Sequence, residues 1–291
     1  MTAIGAVQTA AERIAIVVGD LALEGVEPAV EVFVPTRGST REVFPVGAGF
    51  TVVGLVQKVV ICHDRLVVAW TGSRIAAQSL LRELTAISSP DDESLAAAVE
   101  GQEDSEATRQ LEMLGFLAEP HDASTMRVRR FRVVGRNLSM SAGTTRFLGS
   151  GAPLLSEALE RAFRSCVQLK GNSDAGALIM SSIFAAIGRL MSLELTTSVS
   201  RGEAVALHPL IHFFGGGYEI AVLDGRRFVK LDSAVHIFWR TRTVDGELRL
   251  EPWRILRPRY SGATLIVHAV NVQGPIEANA ERVNEFETAC S

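Results

Sequence analysis

The sequence predicts a layered α+β fold, and three features point there. Apolar and β-branched runs gather into groups of strands, two pairs of amphipathic helices separate those groups, and after Asp232 the pattern is strand and turn alone. Runs of strands separated by runs of helices favour stacked layers over alternating βαβ winding. No internal repeat at a fixed period interrupts that pattern.

Residues 13–23, RIAIVVGDLAL, read as a largely buried strand. Two short extended pieces follow within 30–46, around the turn-like Thr36-Arg37-Gly38-Ser39. Residues 50–56 and 58–70 are further strands, the second folding back at His63-Asp64-Arg65. Ser73 is an N-cap for a helix with Ile75, Ala76, Ser79, Leu80, Leu84 and Ile87 at helical spacing. The acidic stretch 88–106 reads as a solvated helix–linker–helix surface. Residues 127–134 return to strand, and 154–169 and 175–191 are two long amphipathic helices. Strands resume at 218–223 and 227–231 across an Asp224-Gly225 turn, and three more fill the C-terminal region around an Asp245-Gly246 turn.

Composition bounds the function. With 291 residues, 47% of them apolar and 21% charged, the chain can bury a large core without disulfides or structural metals. The net charge of −4 gives no global attraction to nucleic acid or anionic lipid, so nucleic acid is an unlikely partner. No run reaches the roughly 18 consecutive apolar residues of a membrane span. Residues 1–11 lack the basic start and apolar core of a secretion signal. Cys62, Cys166 and Cys290 are scattered and form no CxxC, which indicates neither a zinc site nor a disulfide framework. The expectation is a cytoplasmic protein without metal or cofactor.

Four separated segments carry a resemblance. They are Thr2-Ala3-Ile4-Gly5-Ala6-Val7 with a strand ending in Gly19-Asp20; Gln57-Lys58-Val59-Val60-Ile61; Val67–Gly72 running into Ala76-Ala77-Gln78; and Gly149-Ser150-Gly151-Ala152-Pro153 before a helix. Gly216-Gly217 ahead of a late strand adds a fifth. In type and order these segments resemble proteasome β subunits of the N-terminal-nucleophile hydrolase superfamily, and the separation of Lys58 and Gly72 matches that family's. The resemblance covers roughly residues 2–231, with insertions near 25–50 and 190–215. It implies a four-layer αββα sandwich, two mainly antiparallel sheets between helix layers, over residues 1–233. Residues 234–291 are then a β-rich extension packed on the same domain.

The resemblance also implies a site made of Thr2, Asp20, Lys58, Gly72 and Ser150, and a threonine-type amidohydrolase or peptidase acting on a peptide or amide. A threonine hydroxyl is a poor nucleophile until a base takes its proton. A threonine at the chain start carries that base as its own α-amine, which titrates near about 7.7–8. Exposing it requires removal of Met1. A nearby Lys58 ammonium would lower the amine further, Asp20 would hold Lys58, and the Gly72 N–H would face the developing oxyanion. The family places an acid after its last long helix; here Arg189 leads into Leu190-Met191-Ser192, and Glu194 and Glu203 are the acids available as substitutes. The alternative is a catalytically silent, proteasome-like structural or binding subunit. Similarity to ring-forming subunits also implies a homo-oligomer.

Other signals have plainer readings. His208 and His212 have helical ligand spacing, but Pro209 lies between them and no HExxH surrounds them, so they read as structural. Gly215-Gly216-Gly217 lacks the Lys-Ser/Thr of a phosphate loop and reads as a tight turn into a strand. Arg127, Arg129, Arg130, Arg132 and Arg136, with Arg130, Arg132 and Arg136 on one face, could join Arg240, Arg242, Arg254, Arg257 and Arg259 in binding nucleic acid or an acidic partner. The favoured reading is charges guarding an edge strand. Cys62 reads as a small buried hydrophobe.

Overall fold

The computed structural model describes residues 2–8, 14–25, 32–36, 38–39, 51–122, 125–141, 145–170, 175–196, 214–232, 234–271 and 274–282. The expectations for Met1, Glu203, His208, His212 and Cys290, and for most of 25–50 and 190–215, fall outside these residues.

Strands β1 (Ile4–Gln8) and β2 (Ala15–Asp20) pair antiparallel, Ile4 opposite Gly19 and Gln8 opposite Ala15. After Leu21 alone the chain enters β3 (Ala22–Gly25) in a different sheet. The short β4 (Phe33–Val34) and β5 (Gly38–Ser39) pair with each other. Then β6 (Thr51–Gln57) pairs with β3, and Lys58 alone separates it from β7 (Val59–His63). A turn at Asp64 and Arg65 leads to β8 (Leu66–Thr71).

Ser73 caps α1 (Arg74–Ala86), its Oγ accepting from the Ala76 N–H at 3.4 Å. A reciprocal Asp91–Ser94 capping box opens α2 (Asp92–Glu100), and Ser105 caps α3 (Glu106–Arg109). The acidic stretch is thus not a wholly solvated surface, because Leu95 and Val99 of α2 are buried at i, i+4 spacing.

Next come β9 (Glu112–Pro120), β10 (Met126–Val134), β11 (Asn137–Ser141) and β12 (Thr145–Leu148). The helices α4 (Ala152–Lys170) and α5 (Ala175–Thr196) follow, then β13 (Tyr218–Asp224) and β14 (Arg227–Lys230). The last strands are β15 (His236–Val244), β16 (Glu247–Ser261), β17 (Thr264–Asn271) and β18 (Gly274–Arg282).

The architecture is α+β with several antiparallel sheets. Two have five strands, in the orders β12-β1-β2-β13-β14 and β11-β10-β9-β8-β7; a third has six, β15-β16-β17-β18-β6-β3. One core cluster joins Ile4, Ala6 and Val17 of the first sheet to Val67, Leu114 and Phe116 of the second. Alternation along β1 sends Ala3 and Val7 the other way, into a cluster with Ile187 and Leu190 of α5 and Leu155 of α4. A further cluster sets Leu80, Leu84 and Leu95 of α1 and α2 against Trp70, Leu117 and Phe131 of the second sheet.

The C-terminal strands do not form a sheet of their own. β18 runs parallel to β6, Glu281 opposite Val56, and Leu265, Val267 and Ala280 share a cluster with Leu21 and Leu55. Among the described residues, Gly176–Leu195 of α5 is the one helical stretch long and apolar enough to cross a membrane. Its Ile183, Ala186, Ile187, Leu190 and Met191 are buried in the cluster shared with β1, β2 and β13.

Candidate functional site

Asp20 and Lys58 occupy corresponding places in the chain. Asp20 ends β2 just before the chain passes into the six-stranded sheet, and Lys58 is the single residue where it passes out of that sheet. The Lys58 Nζ donates to Oδ1 of Asp20 at 3.0 Å and to Oδ2 at 3.1 Å. Both side chains are buried, Lys58 at 1% exposure and Asp20 at 0%. The carboxylate also accepts from the backbone N–H groups of Ala3 (2.9 Å), Ala22 (3.2 Å) and Gly215 (2.9 Å). Burial pushes the Asp20 carboxyl up, against the pull of Lys58 and of the Ala3 and Gly215 N–H groups. Burial pushes the Lys58 ammonium down, with Asp20, Glu219 and Glu24 opposing it.

The glycine run reaches this pair from the other side. Gly215, Gly216 and Gly217 all have positive φ, at 118°, 76° and 122°. A Cβ on Gly215 would stand 2.3 Å from Oε1 of Glu194, so the backbone threads between two carboxyl groups. The Gly215 N–H serves Asp20, and the Gly216 N–H donates to Oε2 of Glu194 at 3.0 Å. The Thr36 hydroxyl donates to the same Glu194 oxygen. Burial, aided by Asp20, pushes the Glu194 carboxyl up to about 8, opposed by the Thr36 hydroxyl and the Gly216 N–H.

Thr2 lies one residue from the Ala3 N–H that holds Asp20, and is itself only 2% exposed. Its carbonyl accepts from the Gly151 N–H at 3.1 Å. Gly149 has φ +90°, and a Cβ there would stand 1.9 Å from the Thr2 carbonyl oxygen. The turn before α4 therefore clamps the chain at Thr2, and Ser150 is exposed on that turn. Gly72 is exposed, also with φ +90°, and a Cβ there would meet the Gln110 carbonyl oxygen at 1.9 Å. Close backbone packing alone requires glycine at this position.

No protein-family model matches this chain, and comparison with curated proteins gave no match.

A second buried ion pair, absent from the sequence reading, adjoins the first. Glu219 of β13, with a fully buried side chain, pairs with Lys230 of β14. It accepts from the Val59 N–H at 2.6 Å and the Tyr260 hydroxyl at 3.3 Å. Alternation along β13 gives the signal that was available: Ile220 lies on the helix side, so Glu219 faces between the sheets.

The arginine stripe does not guard an edge. β10 is not an edge strand, since it pairs with β9 on one side and β11 on the other. Arg129 bridges Asp92 of α2 and Glu119 of β9 at 2.5 Å each, and Arg132 reaches Glu112 at 2.6 Å. Arg136 sits in the turn after β10, off any strand face, and donates to the Glu100 carbonyl. Arg129 and Arg136 tie α2 to the sheet, and Arg132 ties β10 to β9. Cys62 is buried in the core below α1. Among the described residues no cluster of three or more His, Cys, Asp or Glu is arranged to hold a metal.

Proposed function

We propose that this chain is a four-layer αββα sandwich acting as a threonine-type amidohydrolase or peptidase once Met1 is removed. One observation carries the reading: the buried Asp20 carboxylate holds Lys58 and, at the same time, the backbone N–H of the residue after Thr2. That bond fixes the chain start relative to a buried cation, as an α-amine acting as base requires. In the proposed reaction the Thr2 hydroxyl oxygen attacks the amide carbon and its proton passes to the α-amine. The oxyanion faces the Gly72 N–H. The α-amine then protonates the departing amine, leaving an ester on Thr2 that water hydrolyses. Asp20 and Lys58 position and polarise the amine, and Ser150 stands on the turn that grips the Thr2 carbonyl.

The alternative is a catalytically silent binding subunit of the same fold. It is favoured by the near-complete burial of Thr2 and by the engagement of Glu194 with Thr36 and Gly216. Intact mass and N-terminal sequencing of the purified protein come first. A chain starting at Thr2 that is labelled there by an electrophilic threonine probe, with labelling lost in Thr2→Ala, supports the hydrolase. A blocked or Met-starting chain, or a Thr2 start that resists the probe, leaves the binding subunit.

A cytoplasmic homo-oligomer completes the proposal. Large apolar side chains left in solvent, Ile75 and Trp239 among them, support self-association. Light scattering that returns about the chain mass of 31.3 kDa at working concentration counts against it.

A further inference from the structure

Among the described residues, the β15–β16 hairpin has no third strand beyond its root. β17 pairs with β16 only from Ile255 to Ser261, whereas β15 pairs with β16 from His236–Leu256 out to Val244–Glu247. The outer half is thus a two-stranded ribbon. The root is held by the half-buried His236, whose ring lies 6.2 Å from that of Phe184 on α5. Outward from there the side chains are in solvent: Ile237 is 50% exposed, Trp239 54%, Leu250 65% and Leu248 77%. Cross-strand pairing and alternation put these four on one face of the ribbon. An isolated hairpin is marginal in water, and three or more strands with an apolar face are needed for independent stability. The outer edge of β15 is long and carries only Arg240 and Arg242 as charges, and an open edge pairs with another strand when one is offered. Among the described residues nothing pairs with it.

We propose that β15 pairs antiparallel with β15 of a second copy of this chain, about a two-fold axis at Trp239. This deepens the homo-oligomer proposed above by naming its surface. Charge and the length of strand paired select the register. Opposed residues in an antiparallel pair lie on the same face, so the axis must pass through a residue pair and not between residues. Centring on Arg240 sets that guanidinium against its own copy, and centring on Thr241 sets Arg240 against Arg242; like charges directly opposite are destabilising. Centring on Trp239 avoids both, as does centring on Phe238, and it pairs the longer stretch of β15, residues 236–242 rather than 236–240. It stacks the two Trp239 rings, sets Ile237 against Thr241, and brings Phe238 opposite Arg240 for a cation–π contact. Arg240 already holds Glu251 at 2.6 Å on that opposite face, so its charge is balanced when the copies meet. Two ribbons joined this way make a four-stranded sheet with a continuous apolar face.

Light scattering of the full chain over a concentration series, with Trp239→Arg and Leu248→Lys, tests the surface. The expected result is twice the chain mass for the parent and for Leu248→Lys, and a loss of at least about tenfold in dimer affinity for Trp239→Arg, the factor expected when a central aromatic anchor is removed. Both substitutions fall on exposed side chains, and circular dichroism checks that the fold is retained. The register is tested by mixing Ile237→Cys chains with Thr241→Cys chains, which should oxidise to a mixed disulfide faster than either alone. A parent that stays monomeric overturns this surface together with the homo-oligomer. A dimer indifferent to Trp239→Arg overturns the surface and leaves the homo-oligomer standing. A dimer sensitive to Trp239→Arg in which the mixed disulfide has no advantage overturns the register.

Discussion

Lys58 and Asp20, 38 positions apart in the chain, meet with two contacts of 3.0 and 3.1 Å at the place where the chain crosses between sheets in both directions. Burying a charge is costly unless it is paired and hydrogen-bonded, and here the pair is supplemented by three backbone N–H donors on the carboxylate. The arrangement ties the chain start, the β2–β3 crossing and the glycine run to one carboxylate. It serves either functional reading, because it fixes Thr2 whether or not Thr2 reacts.

Removing one partner of this pair strands the other. Lys58→Ala leaves the Asp20 carboxylate without its cation at 0% exposure, and the expected cost is about 3–5 kcal/mol. Combining Lys58→Ala with Asp20→Asn removes the stranded charge while keeping an acceptor for the backbone donors, and should recover part of that loss. Urea denaturation of the two single variants and the double variant measures the coupling. Strictly additive losses would show that the pair does not act as a unit.

Glu194 makes stability depend on pH. Its carboxyl holds a proton up to about pH 8 in the folded chain, against an ordinary value of 4.5. Between those values the folded state binds a proton that the unfolded chain has released, so stability is fully present below about 4.5. It falls by roughly 1.4 kcal/mol per pH unit as pH rises, and levels off above about 8. Glu194→Gln keeps an oxygen for the Gly216 N–H and the Thr36 hydroxyl but does not ionise. It should match the parent near pH 5 and exceed it increasingly toward pH 8. Parallel stability curves for the two proteins would refute this account.

The strands and helices that place Asp20 and Lys58 were legible because their apolar runs are dense and bounded by Gly, Ser or Asp. The partnership itself was not, since no local pattern links positions in different sheets; only the order of segments suggested it. β9 escaped because it is buried on both faces, so MLGFLA shows no alternation to separate strand from helix. β12 spans only Thr145–Leu148, and β18, GPIEANAER, lacks an apolar stripe of its own and is recruited as a strand by pairing with β17 and β6. Glu194 was visible as a possible substitute acid, but its contacts with Thr36 and Gly216 depend on tertiary placement.

Glu219 and Lys230 extend the same logic to residues the sequence did not mark. Their strands β13 and β14 are joined by a tight turn, and the ammonium covers a carboxylate that also anchors the start of β7 through the Val59 N–H. Lys230→Ala should therefore cost about 3–5 kcal/mol, while Lys230→Arg, which keeps the charge, should cost much less. Thermal unfolding of the two variants checks this. Equal losses would mean that the compact ammonium, donating to both Glu219 and the Val59 carbonyl, is needed for its shape and not for its charge alone.

Two glycines separate backbone necessity from mere smallness. At Gly149, φ is +90° and an added Cβ would fall 1.9 Å from the Thr2 carbonyl oxygen, a backbone atom that cannot step aside without breaking its contact with the Gly151 N–H. Gly54, within β6, has nothing within 4 Å of an added Cβ and no positive φ. Gly149→Ala combines left-handed strain with displacement of the chain start, and the expected loss is about 3 kcal/mol or more. Gly54→Ala meets open space in a strand where glycine is entropically costly, and should stabilise by about 0.5–1 kcal/mol. Denaturation midpoints of the two variants give the comparison directly. Because the Gly149 clash falls on Thr2 itself, an active enzyme should also lose probe labelling in Gly149→Ala under conditions where that variant remains folded. Labelling at the parental rate in folded Gly149→Ala would mean that the grip of this turn on Thr2 is dispensable for the reaction.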